Sequence, residues 1–177
     1  MKLTDARILI VDDHQELGQM VLQICIQEGF CRIESALSCF QAEQILRQHP
    51  VDFLILDCPV SDMKWMVEEE MRKMDIGLPI SYMTFCGNVI NKIKLGFGYD
   101  DANVCNEISD IEIPVLIINS KADTVTPQFM GQEIYDSIQN EDIKMIWTVT
   151  DSEHTEMWLD YNQEYIEKVQ DLLDCIK

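Results

Sequence analysis

Short apolar runs alternate with helical patterns along most of this chain. Five segments have the length and apolar content of a buried parallel strand: 7–11, 31–36, 51–56, 113–118 and 144–149. Between them, Gly29 is placed to end a first helix, Ser38 followed by Gln41 forms a capping-box signature, and Pro127 is placed to start a later helix. This alternation predicts an α/β fold, a doubly wound parallel sheet with right-handed crossovers and helices on both faces.

The segment 64–112 is less regular. Residues 65–74 read as a helix, Gly77-Leu-Pro79 breaks it, and residues 82–95 fit a second helix. We therefore predict an enlarged helical connection between strands three and four.

A length of 177 residues suits one domain with a core covered on both faces. We predict a single α/β domain over 1–177, made of three successive parts: 1–63, 64–112 and 113–177.

Composition narrows the function classes. The formal charge of −19 repels phosphate backbones and anionic lipid, so we expect neither nucleic acid nor membrane as a partner. No apolar run is long enough to span a bilayer, and the first residues lack a signal-peptide stretch, so a cytoplasmic location is expected. The seven cysteines lack paired C-x-x-C spacing and are read mostly as small, reduced core residues.

Three aspartates follow predicted strands at the point where strand order reverses. Asp12 and Asp13 end strand one, and Asp57 ends strand three. Carboxylates within about 5 Å repel by roughly 3 kcal/mol per pair at an effective dielectric near 20, which a hard cation relieves. Mg²⁺ accepts such oxygen ligands, so these residues are the predicted metal site. An acidic pocket that faces solvent and binds nothing remains the alternative.

Residues 7–63 resemble the first half of a bacterial response-regulator receiver. The resemblance is carried by Arg7-Ile-Leu-Ile-Val-Asp-Asp-His14, Val51-Asp-Phe-Leu-Ile-Leu-Asp57 and Ser61-Asp-Met63. It implies a flavodoxin-like five-stranded sheet of order 2-1-3-4-5, with Mg²⁺ as cofactor. It also implies Asp57 as the residue that becomes an aspartyl phosphate, Pro59 as a carbonyl ligand, and a small phosphodonor or histidine kinase as partner.

The receiver pattern fails beyond residue 63. Receivers carry Thr or Ser at the end of strand four, where this chain has Asn119, with Ser120 next. They also carry a Lys after strand five, and none stands in Thr148-Val-Thr-Asp151. Lys121 is the candidate substitute.

Residues from about 57 to 177 resemble the last third of an α/β-hydrolase. The stretch 113–127 matches the strand and loop that carry the acid of a Ser-His-Asp triad, at Asp123, and His154 matches the general base. No G-x-S-x-G nucleophile elbow is present, so an Asp–His pair with only a structural role is the alternative. A further alternative uses Asp13 as an aspartate nucleophile with His154 and Asp123, as in dehalogenases.

Both resemblances together describe a receiver–hydrolase chimera with an acidic, Mg²⁺-capable pocket and no complete catalytic apparatus. We expect neither a competent hydrolase nor a complete phosphorylation switch. Two further functions stay open: a signalling receiver phosphorylated on Asp57, and a hydrolase that uses Asp123 and His154. The sequence does not indicate an oligomeric state.

Overall fold

The computed structural model describes residues 3–11, 15–27, 29–74, 77–102 and 104–174, which form an α/β fold with parallel sheets. The chain divides into two compact units, residues 1–54 with 169–177 and residues 55–168.

The elements of the described residues follow in chain order. The strands are β1 Arg7–Val11, β2 Arg32–Ala36, β3 Leu54–Asp57, β4 Val115–Ser120 and β5 Lys144–Val149. The helices are α1 Gln15–Gln27, α2 Cys39–Gln48, α3 Met63–Met74, α4 Ile80–Leu95, α5 Val104–Ile108, α6 Gln128–Ser137, α7 Met157–Asp160 and α8 Asn162–Asp174.

The first unit contains a parallel pair, β1 with β2, in register from Arg7 opposite Arg32. Gly29 has φ +92 after α1, a left-handed conformation that favours glycine. The Ser38 side chain accepts a hydrogen bond from the Gln41 N–H, which confirms the predicted cap of α2.

The second unit is built on a three-stranded sheet of order β3-β4-β5. Every residue of β4 is buried, as expected for the central strand of a covered parallel sheet. Beside it, the ammonium group of Lys144 is buried and donates to the carbonyl oxygens of Tyr135 at 3.2 Å and Ile138 at 2.9 Å. These bonds offset the cost of burying the charge.

The predicted elements are present with local differences. Strand β3 begins at Leu54, later than the apolar run from residue 51 suggests. Pro127 caps α6 instead of forming its first turn. The short helices α5 and α7 were not predicted, because four or five residues carry too little periodicity.

The sequence predicts one five-stranded sheet of order 2-1-3-4-5, whereas the described strands form two separate sheets, β1-β2 and β3-β4-β5. The junction of β1 with β3 that would give one five-stranded sheet therefore stays a prediction. Among the described helices, none has the length and apolar content needed to cross a membrane.

Candidate functional site

The candidate site lies at the carboxyl ends of the three strands of the second unit. Strand β3 ends at Asp57, and the next residue, Cys58, donates its backbone N–H to the Ile118 carbonyl oxygen of β4 at 2.9 Å. The loop after β4 contributes Asp123, and the loop after β5 contributes His154. Since neighbouring parallel strands end at one edge, side chains distant in sequence meet there.

The Asp123 carboxylate is the most constrained group of the site. Its side chain is inaccessible to solvent. Oδ1 accepts from the backbone N–H groups of Val125 at 2.8 Å and Thr126 at 2.9 Å, and Oδ2 accepts from the Thr126 hydroxyl at 2.8 Å. Burial alone would raise the pKa of Asp123, but the hydrogen bonds from His154, Thr126 and Val125 outweigh it and hold this pKa below its usual value.

His154 completes the set of partners around Asp123. Its Nδ1 lies 2.8 Å from Asp123 Oδ2, and its side chain is about a third exposed. Because an ionised carboxylate only accepts hydrogen bonds, Nδ1 carries a proton, and in the neutral form of the ring the lone pair lies on Nε2. A carboxylate that fixes the tautomer in this way orients an imidazole as a proton acceptor.

Asp57 is held differently. The residue is partly open to solvent, and its Oδ2 accepts a hydrogen bond from the Tyr165 hydroxyl of α8 at 3.0 Å. The Tyr165 ring makes edge-to-face contacts with Trp147 and Trp158. Desolvation raises the pKa of Asp57, and the hydrogen bond from Tyr165 offsets part of this rise.

Cys58 is the member of the site that the sequence did not indicate. The residue is 6% exposed and has φ +50, in the left-handed region that a non-glycine residue rarely adopts. Burial raises the pKa of its thiol to about 12, and the Asp57 and Asp123 carboxylates add to the rise. Its Sγ, a carboxylate oxygen of Asp123 and a ring nitrogen of His154 all lie within 4.8 Å of one another. The sequence signal that could have identified Cys58 as a site residue is its position directly after a predicted strand.

The predicted site residues divide into those that the structure describes and those that it does not. Asp57, Asp123 and His154 lie at the same end of the three-stranded sheet and interact electrostatically. Asp12 and Asp13 lie outside the described residues. The structure therefore describes the position of one of the three predicted metal ligands, and the metal site stays a prediction.

Asn119 and Ser120, which align with the Thr or Ser that receivers carry at the end of strand four, are held by hydrogen bonds at the end of β4. Asn119 is buried and its Nδ2 donates to the Gln128 carbonyl oxygen at 3.4 Å, so its side chain faces α6. Ser120 is buried, and its Oγ accepts from the Ala122 N–H at 3.2 Å. Lys121 is exposed at the start of the following loop.

Solved structures similar to this fold include an esterase from Pyrococcus furiosus in two crystal forms. One has a TM-score of 0.58 and 16% identity, covering 96% of this chain and 81% of the esterase chain. The other has a TM-score of 0.56 and 15% identity, covering 96% and 83%. At this identity the likeness concerns the fold alone.

Sequence comparison supports the other resemblance. No curated protein matches the chain. The family model of the response regulator receiver domain matches residues 8–97, from β1 through α4, which is half of the chain. The chain therefore belongs to the response regulator receiver domain family.

Proposed function

We propose that this chain is a phosphoacceptor module, a receiver–hydrolase chimera in which Asp57 accepts a phosphoryl group from a small phosphodonor or a histidine kinase. The observation that carries the proposal is the position of Asp57 at the carboxyl end of β3, partly open to solvent. Membership of the receiver family supports it.

The Asp57 carboxylate is arranged as a nucleophile. Tyr165 occupies Oδ2, which leaves Oδ1 to attack phosphorus. A carboxylate with a raised pKa is more basic, and basicity favours attack. With acetyl phosphate, a bond forms from Oδ1 to phosphorus, the bond from phosphorus to the acetyl oxygen breaks, and acetate leaves.

Mg²⁺ is the cofactor of the proposal. Asp57 offers the hard oxygen donors that this ion prefers, and Asp12, Asp13 and the Pro59 carbonyl would complete the protein ligands. When bound, Mg²⁺ would neutralise charge on the phosphodonor and on the clustered carboxylates.

Phosphorylation is tested by intact-mass spectrometry after incubation with acetyl phosphate and Mg²⁺. We expect wild type to gain one phosphoryl group, Asp57→Asn to gain none, and Asp52→Asn to behave as wild type. Asp52 is the matched control because it is an exposed carboxylate just before β3. Equal phosphorylation of Asp57→Asn and wild type would exclude Asp57 as the acceptor.

A second candidate function is hydrolysis, favoured by the carboxylate-held imidazole of His154. The 2.8 Å bond from Nδ1 to Asp123 is the arrangement of a general base with its orienting acid. The sequence leaves the nucleophile of this candidate open, and Asp13, the aspartate considered for that role, lies outside the described residues.

Hydrolysis of a chromogenic ester, measured on wild type, Asp13→Asn and His154→Gln, tests this candidate. Turnover that both substitutions abolish would support it. Absence of turnover in wild type, or turnover that persists in His154→Gln, would contradict it. Turnover that persists in Asp13→Asn would exclude Asp13 as the nucleophile.

A further inference from the structure

Three side chains with metal-binding donors converge where the strands of the second unit end. Cys58 Sγ, a carboxylate oxygen of Asp123 and a ring nitrogen of His154 lie within 4.8 Å of one another. Cys58 and Asp123 are buried and His154 is partly exposed, so the cluster is shielded on one side and reachable on the other. Each side chain comes from a segment that follows a different strand.

We propose that this cluster is a zinc site, in which Cys58 Sγ, an Asp123 oxygen and His154 Nδ1 bind one Zn²⁺ and a water molecule takes the fourth position. Zinc sites with three protein ligands and one water use these donor types. The thiol and imidazole favour zinc over Mg²⁺, which prefers oxygen. Donor atoms in a tetrahedral zinc site are roughly 3.4–3.6 Å apart, a distance that modest side-chain rotations can reach from this cluster.

Charge and proton balance are consistent with a divalent cation. The Cys58 thiol releases one proton to solvent on binding, and an imidazole that binds zinc through Nδ1 is neutral and carries its proton on Nε2. Thiolate and carboxylate together then match the two positive charges of Zn²⁺. The neighbouring Asp57 carboxylate adds favourable negative charge without serving as a ligand.

The loop after β4 holds the Asp123 carboxylate in place before any metal binds. Val125 and Thr126 fix Asp123 through hydrogen bonds. Among the described residues, the non-glycine residues with φ in the left-handed region are Cys58 at +50 and Thr155 at +62. Cys58 is a proposed ligand, and Thr155 directly follows the proposed ligand His154. Strained backbone of this kind concentrates at binding sites.

The proposed zinc ligands differ from the residues of the proposed phosphoacceptor chemistry. It uses Cys58, Asp123 and His154, whereas the Mg²⁺ site would use Asp57 with the aspartates after β1. Loss of phosphorylation in Asp57→Asn therefore leaves the zinc proposal unaffected, and loss of zinc binding leaves the phosphoacceptor proposal unaffected.

The first test is titration of the reduced full chain with Co²⁺ and Zn²⁺. We expect one equivalent of Co²⁺ to give a thiolate-to-cobalt charge-transfer band and the intense visible bands of tetrahedral cobalt, both removed by one equivalent of Zn²⁺. This readout needs no variant. A titration without a charge-transfer band would overturn the proposal.

The second test assigns the ligands by competition with a zinc chelator. Cys58→Ser and His154→Gln are expected to weaken zinc binding by more than about tenfold. Mutation of residues that only hydrogen-bond to a metal ligand already causes losses of about this size, so loss of a ligand should cost at least as much. Because the chain has seven cysteines and three histidines, the controls are Cys86→Ser on α4 and His49→Gln, whose ring pairs with Glu34. Circular dichroism verifies that each variant is folded. Equal affinity of wild type and a folded Cys58→Ser would overturn the assignment.

Discussion

At the residue scale, the surroundings shift the pKa values of two aspartates at one edge of a sheet in opposite directions. Asp123 accepts hydrogen bonds from Val125, Thr126 and His154, so its charged form is stabilised and its pKa is lowered. Desolvation of Asp57 outweighs its hydrogen bonds with Tyr165 and Cys58, so its pKa is raised. Pairs of this kind separate a structural carboxylate from a reactive one.

Asp57→Asn is expected to stabilise the folded chain at neutral pH. A carboxyl group whose folded pKa is raised destabilises the fold above that pKa and has no effect below its unfolded pKa of about 3.9. The melting temperature of Asp57→Asn should exceed that of wild type by about 2 °C at pH 7, and the difference should disappear below about pH 4. Asp52→Asn should show no such gain. A variant less stable than wild type at pH 7 would show that the charged form of Asp57 supports the fold.

Asp123→Asn should have the opposite effect. The amide places an NH₂ group against N–H and O–H donors, which costs about 2–4 kcal/mol of unfolding free energy at pH 7. Since the folded pKa of Asp123 is lowered, its contribution is present above the unfolded pKa of about 3.9 and is lost as pH falls through the folded value. Urea unfolding of both chains should therefore converge in strong acid. A difference that persists there would assign the loss to packing.

At the element scale, α6 packs closely against β4 at Gly131. A Cβ atom at Gly131 would lie 2.4 Å from Asn119 Nδ2 and 3.3 Å from Ile117 Cγ2, and both neighbours belong to the buried strand. The close approach of helix and strand therefore depends on the missing side chain.

Gly131→Ala is predicted to destabilise the chain by about 1–3 kcal/mol, because overpacking exceeds the helix-propensity gain of about 1 kcal/mol. Gly87→Ala in α4 is the matched control. Its Cβ would meet the end of the Tyr99 side chain, which is partly exposed and can move. Chemical unfolding should show loss at position 131 and none at position 87. A stabilised Gly131→Ala would mean that α6 can shift away from β4.

Elements were predictable where local signals define them. The strands 7–11 and 144–149 and the Ser38 cap of α2 are visible in apolar runs and capping chemistry. The late start of β3 and the meeting of Cys58 with Asp123 and His154 depend on contacts between distant segments. Apart from the position of Cys58 directly after a strand, such contacts leave no local pattern, so Cys58 was interpreted from the sequence as an ordinary core thiol.

At the scale of the whole molecule, the net charge of −19 opposes compaction. Exposed ion pairs on α3, where Arg72 contacts Glu68 and Lys73 contacts Glu70, are worth about 0–1 kcal/mol each. Self-repulsion among the excess carboxylates should exceed these gains.

Salt is therefore predicted to stabilise the chain. Raising NaCl from about 10 mM to about 150 mM shortens the screening length from about 30 Å to about 8 Å, which weakens repulsion between distant charges. The melting temperature should rise, and KCl should act equally if ionic strength is the cause. A melting temperature that falls with salt would show that the surface ion pairs dominate.

The measurement that tests the central claim most directly is chemical trapping of the aspartyl phosphate. After incubation with acetyl phosphate and Mg²⁺, borohydride reduces an acyl phosphate to an alcohol, which converts the modified aspartate to homoserine, and peptide mass spectrometry locates the change. The account predicts homoserine at position 57 in wild type and at no position in Asp57→Asn. Homoserine at another aspartate, or none in wild type, would contradict it.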